Sequence, residues 1–208
     1  MFRKLIDPDN DLMILMSRIT DCIFLSLFWL LCCFPVVTMG AGFGALYDAT
    51  FRGFRRKEKN VWQRFLQVFR RNWKSGIVPT VLFLIIVAVL SKTLITVWNG
   101  AVAGTVSWAV FSAVAFGGIL VLGMLSVLFP MLSRFENSLG DLLKNTVFLS
   151  LSRLPNTLGL GILNAVTVFL CVRYVVPLFF LPALTALLSS FLIEPMFKPY
   201  LPEENAAQ

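Results

Sequence analysis

The chain has 208 residues, of which 58% are hydrophobic and only 14% charged, with a mean hydropathy of +0.82 and a net charge of +7. Soluble domains carry about 25% charged residues because their surfaces face water, so this composition excludes an ordinary soluble domain and calls for lipid as solvent. The length supports one domain, and at about 20 residues per crossing five or six crossings use it up, leaving no separate catalytic domain.

The residue inventory also speaks against an enzyme. The chain has no histidine, which removes the commonest general base, the Ser-His-Asp arrangement and the HExxH metal site. No carboxylates pair at three- or four-residue spacing inside an apolar run. Neither a cofactor nor a metal is expected. Cys22, Cys32, Cys33 and Cys171 lie in apolar runs without a CxxC pair, and they read as small buried side chains. Arg3 and Lys4 precede the first apolar run, but Asp7, Asp9, Asp11 and Asp21 intervene and no small-residue cleavage site follows. The first helix is therefore expected to be retained.

In chain order, the first expected span is 12–34, with Arg18 and Asp21 three apart on one helical face and Pro35 ending it. Residues 38–52 are small and glycine-rich. They are short for a crossing, with Gly40 and Gly44 spaced for close helix packing, or they form a sheltered re-entrant segment. A short crossing is the favoured reading. Asp48–Lys74 then holds Arg52, Arg55, Arg56, Lys57, Lys59, Arg64, Arg70, Arg71 and Lys74 against Asp48 and Glu58, which by the positive-inside rule is a cytoplasmic segment. Within the basic amphipathic stretch 53–75, Trp62, Phe65, Leu66, Phe69 and Trp73 fall at helical spacing on the greasy side, and Arg64, Arg70 and Arg71 on the other. Together with Lys74 these aromatic and basic residues form a candidate surface for docking to the membrane or to a cytoplasmic partner. Basic residues near anionic lipid each contribute about 1 kcal/mol, so lipid rather than nucleic acid is the expected counterpart.

The next expected spans are 77–98, carrying Lys92 towards its far end, and 107–132, reached through a turn with Gly100 and Gly104. Gly117, Gly118 and Gly123 are candidate packing positions in the second of these. Ser138 and Asp141 have the form of an N-cap with an acidic third position and predict a second interfacial helix. Spans 154–171 and 174–195 close the bundle around Arg173 and Pro177, and the tail 197–208 is polar. Asp21, Asp48 and Lys92 read as topology anchors near interfaces, with Arg18 and Arg52 spaced to pair with the two acids. Few polar residues interrupt the spans, Thr93, Thr96, Asn164 and Thr167 being the best candidates to line a solute path. The expected fold is thus all-α, a polytopic transmembrane helix bundle of about six crossings with cytoplasmic interfacial helices. Six crossings leave only Lys92 and Arg173 of the basic residues outside; a five-crossing alternative is less asymmetric.

FLSLFWLLCCFPVVTMGAGFGALY (24–47), RFLQVFRRNWKSG (64–76) and FPMLSRFENSLGDLLKNTV (129–147) resemble the YesL-like family of bacterial multi-spanning membrane proteins. The most specific parts are Trp29, Leu30, Leu31, Pro35, Thr38 and Gly40, and then Phe65, Phe69 and Asn72. That resemblance implies a small cell-membrane protein of Gram-positive bacteria, encoded beside carbohydrate-binding proteins and sugar ABC-transporter permeases and without an assigned activity. It implies a context, carbohydrate uptake, rather than a mechanism; within it the scarcity of polar residues in the spans favours a non-catalytic accessory or assembly subunit of a carbohydrate importer, with permease and ATPase subunits as partners. The alternative is a permease-like subunit in which 62–73 serves as a coupling helix.

Overall fold

The computed structural model describes residues 11–55, 60–134 and 139–197. The elements described are helical: α1 (Asp11–Cys33), α2 (Met39–Thr50), α3 (Val61–Asn72), α4 (Ile77–Val102), α5 (Trp108–Arg134), α6 (Leu139–Ser152), α7 (Leu154–Arg173) and α8 (Leu181–Phe197). Three of these, α4, α5 and α7, are long and apolar enough to cross a membrane, while α8 is a shorter apolar helix. The side chains they turn outward are apolar, for example Ile85, Val89, Phe116, Val166 and Phe169. Unpaired apolar surface on that scale is stable only against hydrocarbon, so the fold is that of a membrane-embedded protein.

At the centre lies α2, in which every residue from Gly40 to Thr50 except Phe43 is buried. Glycine disfavours helix by about 1 kcal/mol relative to alanine, so this segment depends on its neighbours. A methyl group on Gly40 would overlap Thr80 and Phe129, and one on Gly44 would press on the Phe129 carbonyl and Ser133. The first turn of α2 has no side-chain cap of its own. Instead the Gly40 N–H donates to the Thr80 hydroxyl of α4 at 3.0 Å, which satisfies one of the orphan donors at a helix start. At 12 residues α2 is about 18 Å long, and α1, α3, α4, α5 and α8 all pack against it.

Two neighbours run back along α2. In α1, Trp29, Cys32 and Cys33 flank Gly42, and the Arg18 guanidinium donates to the Gly53 carbonyl and lies over the Phe54 ring. In α3, Val61 packs on Gly53, Arg64 reaches Asp48 and the start of α4 meets Ala41 at Gly76. α1 ends at Cys33, two residues before Pro35.

Several boundaries differ from the sequence expectation. α4 continues through Asn99 and Gly100 to Val102, because the chain reverses only at Gly104, whose φ of +74° suits glycine. The last helix begins at Leu181 rather than at Tyr174. Pro177 lacks the N–H that a regular α-helix needs, and Val176–Phe179 instead forms a 3-10 turn. A helix does stand where Ser138 and Asp141 signalled one: α6 begins at Leu139 with Asp141 in its first turn, although Ser138 itself lies outside the described residues. Arg56, Lys57, Glu58, Lys59 and the tail beyond Phe197 also lie outside them, whereas Phe197 itself is fully buried.

Candidate functional site

Two adjacent residues of α2 turn towards different neighbours: Asp48 pairs with arginines and Tyr47 hydrogen-bonds a carboxylate that does. Asp48 is 2% exposed and accepts from Arg64 of α3 at 2.7 Å and from Arg52 at 3.3 Å. The pairing of Arg52 with Asp48 follows from their four-residue spacing, whereas the Arg64 contact comes from α3 folding back. Tyr47 donates its hydroxyl to Glu194 of α8 at 3.0 Å, and Arg134 at the end of α5 closes on the same carboxylate at 2.6 Å. The Arg134 guanidinium also lies 4.3 Å from the centroid of the Phe51 ring, a cation–π contact. Arg55 extends the cluster by donating to the Ser190 carbonyl and stacking over Phe191. Charges removed from water require such partners. Nothing in the local sequence pairs Arg134 with Glu194, which are sixty residues apart.

Beside Tyr47 the helices enclose a cavity of about 260 Å³. Trp29, Phe43, Phe83 and Phe129 form an aromatic wall in which Phe43 lies 5.1 Å from Trp29 and 5.5 Å from Phe129. Polar residues also line the cavity. Asn164 donates to the Ser126 hydroxyl at 3.0 Å, and the hydroxyls of Thr167 and Thr185 meet at 2.8 Å. Of the four polar residues singled out in the sequence, Asn164 and Thr167 line this cavity. Thr93 and Thr96 are exposed on α4, where each bonds back to a carbonyl of its own helix.

The residues considered for docking separate into two groups. Phe65 is wholly buried, Phe69 is half-buried against the same cluster, Arg64 is held by Asp48, and Arg71 donates to the Ser133 carbonyl. These four fasten α3 to the bundle. Trp62, Arg70, Trp73 and Lys74 remain exposed, with Trp62 and Trp73 about half accessible. The periodicity marked α3 as amphipathic, but burial of the Phe65 face inside protein required knowing that α2 runs alongside.

Among the glycines, Gly40, Gly44 and Gly123 are close-packing positions, but Gly117 is not. No atom lies within 4 Å of where its side chain would be. Its neighbour Gly118, expected from the sequence as well, does face Leu90, and Gly161 of α7, which the sequence reading passed over, meets the Ile119 carbonyl. Among the described residues no three His, Cys, Asp or Glu side chains stand together as a metal site would require.

These features define a class: a helical, membrane-embedded protein with a buried ion-pair network beside a largely apolar cavity. Residues 22–92 match a family model described as a protein of unknown function, DUF624, a stretch that takes in part of α1, all of α2 and α3 and most of α4. No curated protein matches the chain, and no solved structure does.

Proposed function

We propose that this protein is a non-catalytic, multi-pass subunit of a bacterial cell membrane that accompanies a carbohydrate ABC importer as an accessory or assembly factor, with the basic segment 52–74 on the cytoplasmic side. The observation that carries the docking part of this reading is the state of α3. Arg64 and Arg71 bind it to the bundle, and a face bearing Trp62, Arg70, Trp73 and Lys74 stays outward. A fixed helix that presents aromatic and basic side chains meets a partner with little ordering cost. The importer context rests on the resemblance of segments 24–47, 64–76 and 129–147.

The test is a tagged copy captured from native membranes under mild detergent. Recovery of permease and ATPase subunits in fixed ratio, lost on W62A/R70A/W73A while membrane insertion persists, is the expected result. Recovery of the protein alone would remove the reading.

A permease-like subunit with 62–73 as a coupling helix is the second reading, favoured by Asn164 and Thr167 on the cavity wall. Sugar flux into liposomes containing only this protein would select it.

A further inference from the structure

We propose that the cavity beside Tyr47 is a lipid site that takes one hydrocarbon chain of a membrane lipid. The proposal goes beyond the accessory-subunit reading and does not depend on it.

Two observations point to a lipid chain. No charged side chain lines the cavity, whose surface is overwhelmingly apolar. One wall includes Val168 and Val172 of α7, which are 60% and 85% exposed, so the space reaches the apolar outer surface of a helix long enough to cross a bilayer.

Size and polarity separate the possible occupants. An apolar cavity of roughly 150 Å³ accepts a benzene molecule, so about 260 Å³ accommodates a length of flexible chain. Water requires two to four polar partners, and a sugar, with a hydroxyl on nearly every carbon, requires more. The Asn164 N–H donors and the hydroxyl protons of Ser126, Thr167 and Thr185 are already engaged with one another or with helix carbonyls. A hydrocarbon chain demands none of them. Its entry gains contacts with Phe43, Phe83 and Phe129 and leaves the polar pairs intact.

The experiment uses the full-length protein in nanodiscs containing phosphatidylglycerol with a diazirine midway along one acyl chain. After photolysis, peptide mass spectrometry should place adducts on the cavity-lining stretches of α7 and α8 as well as on the exposed faces of α4. Ala186→Phe, which fills the space, and Val172→Trp, at its exposed rim, should each lower cavity labelling without changing labelling at Val89. Labelling confined to outward faces, cavity labelling unchanged by both variants, or cavity labelling suppressed by millimolar glucose would each overturn the proposal, the last in favour of a solute site.

Discussion

Gly123 of α5 and Thr157 of α7 approach so closely that a methyl group on the glycine would run into the Thr157 backbone carbonyl. The relation is reciprocal four residues away on each helix, where Gly161 of α7 faces the Ile119 carbonyl of α5 in the same manner. Two glycines thus let two backbones touch. In lipid no hydrophobic force presses helices together, and such close packing supplies much of the attraction.

This contact makes the first prediction. Gly123→Leu or Gly161→Leu should destabilise the protein by about 1–3 kcal/mol or more, because the obstacle is backbone rather than a movable side chain. Gly117→Ala, with open space around it, should be neutral or slightly stabilising through helix propensity, by up to about 1 kcal/mol. Thermal unfolding of the three variants in one detergent checks the contrast, and equal losses would refute it.

The pair of Arg134 with Glu194 makes the second. Arg134→Met leaves the carboxylate, among the described residues, with the Tyr47 hydroxyl and should cost about 3 kcal/mol, as breaking a buried pair does. The side chains are 12% and 17% exposed, which moderates the loss. Replacing both residues by methionine should recover a large part of it, since no uncompensated charge then remains. A double-mutant cycle of unfolding free energies gives the coupling directly.

Asp48 makes the third. It is the shared acceptor of Arg52 and Arg64, so Asp48→Asn should loosen α3 from α2 rather than unfold the bundle evenly. Amide exchange across 61–72 is expected to accelerate at least tenfold, the equivalent of about 1.4 kcal/mol of local opening. Exchange in α5 should hold. Uniform acceleration of both regions would contradict a local role.

Thr80 makes the fourth. Its hydroxyl accepts from the Gly40 N–H, so Thr80→Val, similar in shape, should cost about 1 kcal/mol by leaving that donor bare. Thr93→Val on the exposed face of α4 deletes only a bond within its own helix and should cost far less. Unfolding in matched detergent distinguishes them.

The chain alone was enough to reveal an apolar helical protein with its cations crowded into one stretch, because hydropathy and charge are properties of composition and need no knowledge of the partner. Pro35 as a stop, the four-residue spacing of Asp48 and Arg52, and Gly40, Gly44 and Gly123 as packing positions were equally legible, each being a local rule. What the tertiary structure decided is everything that depends on which helix lies beside which. It decided that Phe65 faces protein and Trp62 does not, that Gly161 carries a close contact and Gly117 none, and that Glu194 meets Arg134 and Tyr47 from distant parts of the chain. A helix rich in apolar residues on every side presents no periodicity that separates a lipid-facing position from a buried one. Only the arrangement of the bundle breaks that symmetry, and the cavity between its helices exists in no single segment.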